Sequence, residues 1–522
     1  MLSIFLTLVW ALSLLYGEMF AFWIPSLWTC SWPPPSSSMD KVDNPDDYVK
    51  IAVLTDPQLM DKTSLNLAPK SLALEMAQFY TDLYMRRAFL SSVLPFRPDI
   101  ILFLGDYFDG GPFLSDEEWQ ESWSRFKHIF NLDMVQQTKN IKLFYLSGNH
   151  DIGYSAFHPQ MPEVISRYEK EFGVRNYHFT VGKVNFIAVD AQTLDGHPEG
   201  NESAATWKFI KDVSKNITSS PSVLLTHIPL YRPDDTSCGP HRSSSVINQR
   251  INRAEHDEEI VYQNYVTEER TNYLLELIKP ALILSGHDHD QCTVVHTTKY
   301  GAVKEHTLGT ISWQQGNLFP SFMLLSVSNL TSSDGSKPAD AISTTLCFLP
   351  VQTFIYIWYL LLLIMTVLIV LFWPTYGLPF LHHLSEYKKS LISLSMFGGG
   401  VKEKNDDEIC EYEEVWDAEG TMHLIKKTSK ARPTYSSESS SESFGNYAYR
   451  YDVQGNAVMR SAARRQNVEI DITMPADAVK LPSRANRSKI KLVIRLFRTI
   501  FIIAAFNVPL YMMLLFKDWI DK

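Results

Sequence analysis

The chain has 522 residues, of which 45% are hydrophobic, and its formal net charge is −10 at pH 7. The acidic balance argues against nucleic acid as a partner, and five cysteines in this length exclude a disulfide-stapled scaffold. The length is sufficient for one large domain with a full hydrophobic core.

An apolar segment, Leu2–Trp28, opens the chain. It is longer than the core of a signal peptide, has no basic residues before it, and contains Glu18. These features favour an uncleaved signal anchor over residues 1–28, with a cleaved signal peptide as the alternative.

Five short apolar runs, each ended by Gly or polar residues, come next in the chain. Runs of this kind are typical of strands that are buried on both faces of a parallel sheet. Ligands of such sheets bind beyond the carboxyl ends of the strands, so we expect the residues after these runs to meet at one rim. The runs are Lys50–Thr55, Ile100–Leu104, Lys142–Leu146, Val223–Leu225 and Leu282–Leu284.

Each run is followed by potential metal ligands. The donors are carboxylates, amide oxygens and imidazoles without cysteine, which suits Mn, Fe, Zn or Mg and argues against a structural zinc site. Two ions about 3.5–4 Å apart would clamp a phosphoryl group and activate a water for in-line hydrolysis of a phosphate ester. The clusters are Asp56-Pro57-Gln58, Gly105–Asp109, Gly148–Asp151, Thr226-His227 and Gly286–His289.

Helical patterns lie between the runs, at Lys70–Ser92 and Asp116–Phe130. The acidic residues at the start of the second pattern suit a helix N-terminus. Alternating strands and helices predict an α/β fold.

In order and spacing, the clusters resemble the calcineurin-like metallophosphoesterase superfamily, whose signature is D-x-H, G-D-x-x-D, G-N-H-[DE], H and G-H-x-H. The resemblance implies a four-layer α-β-β-α sandwich, placed here at residues 48–345, and two divalent metal ions. It assigns the first ion to Asp56 and His289, both ions to Asp106, and the second ion to Asn149, His227 and His287.

Gln58 departs from this signature, because the family has His at that position. An amide oxygen is a weaker and harder donor than imidazole, so Gln58 binds metal directly, through water, or not at all. The change tilts the first site toward Mn or Mg over Zn. The resemblance also implies that His150 protonates or stabilises the leaving oxygen and that Asp109 orients His150 through a hydrogen bond.

Longer matches around the same clusters resemble the membrane-anchored phosphoesterases that remodel GPI anchors in the endoplasmic reticulum. This resemblance implies removal of ethanolamine phosphate from a GPI mannose, dependence on Mn, and GPI glycans, GPI-anchored proteins and cargo-transport machinery as partners. It also implies the endoplasmic reticulum membrane, with cycling to the Golgi, as the location. The alternatives are hydrolysis of another luminal phosphate ester and a non-catalytic receptor for phosphorylated glycans or cargo.

Two further apolar segments predict a multi-pass protein. Residues 351–373 would reach about 35 Å as a helix, enough to span a bilayer. The basic residues that follow place residues 374–498, a mostly disordered insert by composition, in the cytosol and the catalytic domain in the lumen. Residues 499–516 form a third, shorter span, with an interfacial helix as the alternative. Three glycosylation sequons, at Asn201, Asn216 and Asn329, lie in the proposed luminal part.

Two questions stay open in the sequence. Cys238 and Cys292 follow metal-binding clusters, and either a disulfide or two free buried thiols would suit them. The loop from Arg232 to Arg242 reads as an ordinary surface loop, with contacts to a phosphate as the alternative.

Overall fold

The computed structural model describes residues 1–33, 48–138, 140–197, 200–216, 220–242, 250–254, 259–329, 341–372, 412–416, 422–426 and 484–520. The helices are α1 (Leu2–Leu15), α2 (Ala21–Ile24), α3 (Leu72–Arg87), α4 (Asp116–Ile129), α5 (Asn149–Ile152), α6 (Pro162–Phe172), α7 (Asn201–Asn216), α8 (Glu268–Ile278), α9 (Gln352–Phe372) and α10 (Arg484–Trp519). The strands are β1 (Tyr48–Leu54), β2 (Ile100–Phe103), β3 (Lys142–Tyr145), β4 (Tyr177–Val181), β5 (Val184–Val189), β6 (Ser222–Thr226), β7 (Ile251–Arg253), β8 (Ile260–Gln263), β9 (Leu282–Ser285), β10 (Cys292–Thr298), β11 (Gly301–Thr307), β12 (Ser321–Ser328), β13 (Ile342–Phe348), β14 (Tyr412–Trp416) and β15 (Met422–Lys426).

Two mixed sheets form the centre of the predicted domain at residues 48–345. The first has the strand order β13-β12-β1-β2-β3, and the second has the order β10-β11-β9-β6-β5-β4. The neighbours β1, β2 and β3 are parallel, as are β5, β6 and β9. All five strands predicted from apolar runs therefore form, and each lies in a parallel part of its sheet, with β3 at the edge of the first sheet.

The alternation of side chains along each strand builds the layers. Ile51 and Val53 of β1 pack between the sheets against residues such as Phe186 and Val223. Their neighbours Ala52 and Leu54 point the other way, into a core with α3, α4 and α6. The outer face of the second sheet packs on α7 and α8. The predicted four-layer α-β-β-α fold is confirmed.

Both predicted helices also form, with ends that local chemistry explains. In α4 the Ser115 hydroxyl accepts a hydrogen bond from the Glu118 amide at 3.3 Å, and the Glu118 carboxylate accepts one from the Ser115 amide at 2.9 Å. This capping box satisfies two backbone donors at the helix start. α3 begins at Leu72 after Ser71 and continues as a π-helical turn to Val93.

Three helical segments are long and apolar enough to cross a membrane: Leu2–Thr29, Gln352–Phe372 and Ile490–Trp519. The first joins α1 and α2 through π-helical turns. The third is longer than the predicted 499–516, because the basic stretch before that segment belongs to the same helix, α10.

A buried charge cluster connects these helices to the catalytic domain. Arg87, at the end of α3, forms an ion pair with Glu18 of the first segment, and both side chains are almost completely buried. Arg87 also donates to the carbonyl oxygen of Leu514 at 2.8 Å and lies 3.3 Å from the Asp518 carboxylate. Tyr359 of α9 donates to the other Glu18 oxygen at 3.0 Å. We call these five residues the junction.

Two disulfides lie in the compact unit formed by residues 1–372 and 489–522. Cys30–Cys347 joins the end of the first apolar segment to β13, and Cys238–Cys292 joins the loop after β6 to β10. The disulfide alternative for Cys238 and Cys292 is therefore the one that forms, and the Cys30–Cys347 pairing was not anticipated.

Residues 373–488 form a separate compact unit. Here the structure describes the antiparallel pair β14 and β15 and the first residues of α10. Most of the insert predicted to be disordered lies outside the described residues.

Candidate metal centre

The loops after the strands hold their residues in an uncommon backbone conformation. Non-glycine residues rarely have positive φ, and such residues gather at functional sites where side chains must be aimed. Here Asp56 (50°), Gln58 (38°), Asp106 (56°), His287 (70°) and His289 (56°) all do.

Two groups of side chains converge at the rim of the sheets. Asp106, His227 and His287 form one group, and Asp56, Asp106 and His289 form the other. Within each group the ligand atoms lie within 4.8 Å of one another, and Asp106 belongs to both. This is the geometry that two neighbouring cations with one shared carboxylate require, so the residues fit a two-metal site.

The imidazole rings are oriented by hydrogen bonds on their other side. His227 Nδ1 contacts the Leu104 carbonyl at 2.7 Å, and His287 Nε2 contacts the Gln263 carbonyl at 3.1 Å. A proton held on each of these nitrogens leaves the second nitrogen of the ring to bind an ion. Asn149 joins the same group, since its side-chain oxygen lies 3.2 Å from His227 Nε2.

Small residues are needed where the loops meet. A Cβ on Gly148 would overlap the Asp106 carboxylate, and a Cβ on Gly105 would lie 2.6 Å from His227 Nδ1. Gly105 also has a φ of +100°. Without side chains at Gly105 and Gly148, the loop that carries Asp106 can lie directly against the Gly148 loop and against His227.

Asp151 organises the Asp106 loop from behind. Its carboxylate accepts hydrogen bonds from the amides of Asp106 at 2.9 Å, Tyr107 at 2.8 Å and Gly148 at 2.8 Å. The sequence contained Asp151 as the last residue of a cluster, but the pattern did not indicate this backbone role.

Gln58 lies beside Asp106. Its amide nitrogen is 3.2 Å from the Asp106 carboxylate, and its amide oxygen accepts a hydrogen bond from Gln315. Gln314 donates to the Gln58 main-chain carbonyl. In this arrangement Gln58 supports Asp106 by a hydrogen bond and turns its oxygen away from it; binding of metal by Gln58 stays a prediction. No sequence signal pointed to Gln314 or Gln315.

His150 lies at the edge of the site. Its amide donates to Asp106 at 2.8 Å, and its side chain is 36% exposed, so a substrate can reach it. Asp109 holds the His150 ring through its main-chain carbonyl, while its carboxylate lies 3.7 Å from Nδ1 and accepts a hydrogen bond from Ser64. The pairing predicted from the sequence is present, but the backbone makes the hydrogen bond.

The electrostatics of the rim favour bound cations. Burial lowers the pKa of His287 to about 3 and of His289 to about 4, so both rings are neutral near pH 7. Burial and the neighbouring Asp106 raise the pKa of Asp56 to about 7. Burial also opposes ionisation of Asp106, but His227 and His150 outweigh it and lower that pKa. Burial opposes the charged form of His227, but Asp106 and Asp56 outweigh it and raise that pKa to about 9. The neutral rings of His287 and His289 are ready to bind a divalent ion, whereas an ion at His227 must displace a proton.

A cavity of about 200 Å³ lies over these residues. The β7–β8 hairpin and the loop after it supply one wall through Tyr262, Asn264 and Tyr265, and His150 lies on another. This volume is small for a ligand site. It suits a phosphoryl group, with the rest of a substrate outside.

Arg232 and Arg242 are used inside the protein. Arg232 is 1% exposed, lies 4.7 Å from the Tyr265 ring, and donates to Thr307 at 2.7 Å. Arg242 donates twice to Asp288, at 2.8 and 3.1 Å. Because Arg232 is buried, it is not exposed to bind a substrate phosphate.

The metal centre lies close to an apolar helix. The ring of Trp313, next to Gln314, lies 5.6 Å from the ring of Tyr356 in α9. Gln314 and Gln315 in turn contact Gln58. Three contacts and the peptide bond between Trp313 and Gln314 therefore connect Asp106 to the start of α9.

Comparison with known proteins agrees with this geometry. Residues 49–291 match the family model for calcineurin-like phosphoesterases. The chain is 28% identical to cell division control protein 1 of Saccharomyces cerevisiae over 58% of this chain and 61% of that protein. It is 28% identical to metallophosphoesterase 1 of Xenopus laevis, and that alignment covers 63% of this chain and 79% of the relative. It is 27% identical to metallophosphoesterase 1 of Mus musculus, with 66% of this chain and 83% of the relative covered.

Among solved structures, a serine/threonine phosphatase from Saccharomyces cerevisiae matches 65% of this chain and 89% of that chain, at 14% identity and a TM-score of 0.26. The alignment to the yeast cell division control protein leaves more than a third of that protein unmatched. The matched region contains every ligand in the two groups described above. Residues 49–291 thus match a calcineurin-like phosphoesterase domain, and the two ligand groups within them fit metal-dependent hydrolysis of a phosphoester.

Proposed function

We propose that this protein is a membrane-anchored phosphodiesterase that removes ethanolamine phosphate from a mannose of GPI anchors. The observation that carries the proposal is the loop of Trp313, Gln314 and Gln315, which contacts Gln58 beside Asp106 and, through Trp313, the ring of Tyr356 in α9. A site so close to an apolar helix suits a phosphoester carried by a lipid. The extended sequence resemblance to GPI-remodelling phosphoesterases supports the choice of glycan.

In this proposal the two ligand groups would hold two divalent ions, with Mn favoured, and the bound ions would supply neutralising charge for the phosphoryl group and acidity for a water. Asp106 holds the two sites together, and Asp151 fixes the loop that carries it. His150, partly exposed and held by the Asp109 carbonyl, donates a proton to the leaving oxygen.

We also propose that the catalytic domain faces the lumen of the endoplasmic reticulum. Four of the five cysteines pair in two disulfides within the unit that holds the metal centre. Disulfides persist in oxidising compartments and are rare in the cytosol. Glycosidase treatment of the expressed protein should lower its mass, and substitution of Asn201 and Asn329 by Gln should reduce that shift.

The deciding experiment is release of ethanolamine phosphate from a GPI lipid by the purified full chain with added Mn. Wild type should release it and Asp106→Asn should not. Turnover of a generic soluble phosphodiester without release from the GPI lipid would refute the GPI assignment and leave hydrolysis of another luminal ester. Tight metal binding without turnover of either substrate would favour the receptor alternative.

A further inference from the structure

An apolar cavity of about 380 Å³ lies between the three candidate membrane helices. Its volume is in the range of sites that bind small molecules. Its walls come from all three helices: Trp10 and Leu14 from α1, Tyr359, Leu363 and Thr366 from α9, and Ile500, Ile503, Ala504, Asn507, Val508 and Tyr511 from α10.

The depth of the cavity matches one leaflet of a bilayer. Along α10 the lining extends from Ile500 to Tyr511, which is about 16 Å at 1.5 Å per residue. Half of the hydrocarbon core of a bilayer is about 15 Å thick. A lipid chain that entered from one leaflet would therefore fit along the cavity.

The upper end of the cavity lies where the helices meet the catalytic domain. Tyr359 contacts Glu18 there, and the Tyr511 hydroxyl is 3.4 Å from that of Tyr80 in α3. The Tyr80 ring lies 6.4 Å from Tyr356, which in turn contacts Trp313 in the loop that carries Gln314 and Gln315. A series of aromatic contacts thus runs from this end of the cavity to the loop whose Gln314 and Gln315 contact Gln58.

We propose that this cavity binds a hydrocarbon chain of the lipid that carries the scissile phosphoester. The inference rests on the proposed function and adds that the substrate enters sideways from the leaflet facing the catalytic domain. A chain bound between the helices places its polar headgroup at Tyr359 and Tyr511, next to the loop of Trp313. The helix cavity then binds the hydrocarbon chain of the substrate, while the residues at the rim of the sheets hydrolyse its phosphoester.

A matched pair of variants tests this. Ala504 lines the cavity, whereas its neighbour Ala505 is exposed on the outside of α10. In the full chain in bilayer nanodiscs, we expect A504F to lower the ratio of kcat/KM for the GPI lipid to kcat/KM for bis(p-nitrophenyl) phosphate by about tenfold, because the ring displaces several methylene groups. A505F should keep the ratio of the wild type.

A second pair guards against misfolding of A504F. Leu363 lines the cavity, whereas Leu361, which is exposed to a similar degree on the same helix, does not, so L363W should lower the ratio and L361W should not. Equal ratios within both pairs would overturn the inference.

Direct labelling separates this inference from the proposed function. A GPI lipid with a photoactivatable chain should crosslink to residues 359–366 and 500–511 in wild type and A505F, and much less in A504F. If labelling follows this pattern and soluble diester is hydrolysed, but no ethanolamine phosphate is released, the GPI assignment fails and the lipid cavity stands. Labelling spread evenly over outward-facing residues would overturn the cavity.

Discussion

The metal-binding rim and the junction are both buried and charged, but their charges are balanced in different ways. At the rim, burial keeps His287 and His289 neutral, while the neighbouring carboxylates raise the pKa of His227 to about 9, so the same groups that hold a proton there can hold divalent cations instead. At the junction, Arg87 pairs with Glu18 and Asp518 within the chain itself. The rim is therefore built to bind a ligand, and the junction is built to hold helices in place.

Removal of the Asp106 charge tests whether the rim is a metal-binding site, and it should have the largest effect. Asp106→Asn should lower phosphodiester turnover on the order of 10³-fold or more, since several kcal/mol of transition-state stabilisation depend on the shared carboxylate. Turnover and bound metal, counted by mass spectrometry, should fall together. Asp133→Asn, an exposed aspartate, should behave as wild type. Unchanged turnover in Asp106→Asn would refute the shared site.

The junction should respond through stability. Glu18→Ala leaves the Arg87 guanidinium buried without its ion pair, and we expect about 3–5 kcal/mol of destabilisation. Thermal unfolding in detergent should detect it, with the exposed Glu75→Ala in the same α3 as the control. Because the Asp106 groups do not contact Glu18 in the described residues, metal binding per folded molecule should persist. Equal melting temperatures for the two variants would contradict the buried pair.

The two disulfides can be compared in the same way, since Cys238–Cys292 follows metal-binding clusters and Cys30–Cys347 attaches the first apolar segment to β13. Cys30–Cys347 closes a separation of 317 residues and Cys238–Cys292 one of 54. By chain entropy alone, loss of the first should destabilise by about 1.5 kcal/mol more than loss of the second. Paired Cys→Ser variants, compared by unfolding under non-reducing conditions, measure the difference. A larger loss for the Cys238–Cys292 pair would show that local geometry outweighs loop length.

Gln315→Ala should have the smallest effect. It removes the donor that holds the Gln58 amide oxygen, and outer partners of metal sites typically change affinity by about 10–100-fold. We expect Mn affinity, measured by calorimetry, to fall near the lower end of that range. Gln160→Ala, at an exposed position, is the matched control. Identical affinities would show that Gln58 does not need Gln315.

The rim was largely predictable from the sequence, and the junction was not. Each rim ligand follows an apolar run directly, so the strand period and the convergence of parallel strands place Asp56, Asp106 and His287 together. The junction joins Arg87 to residues 69 and 431 positions away. No local sequence pattern indicates such a pair. Glu18 stands alone in an apolar segment, so the sequence did not indicate that Arg87 would be its partner.

The same limit applies within the catalytic domain. The hairpin β7–β8, which supplies a wall of the cavity through Tyr262, has no long apolar run to announce it. Gln315 lies outside every cluster, and its contact with Gln58 depends on how β11 and β12 bring their connecting loop to the rim. Chemistry held in short motifs is readable, whereas supports contributed by distant loops require the fold.

The Cys30–Cys347 bond changes what a proteolytic cut near the N-terminus would do. Cleavage between Cys30 and Tyr48 would leave the first apolar segment covalently attached to β13, whereas cleavage at Trp28 would release it. A cut product of the first kind would migrate as one species on a non-reducing gel and as two after reduction. Cleavage of the polypeptide and loss of its first apolar segment are thus separate events in this protein.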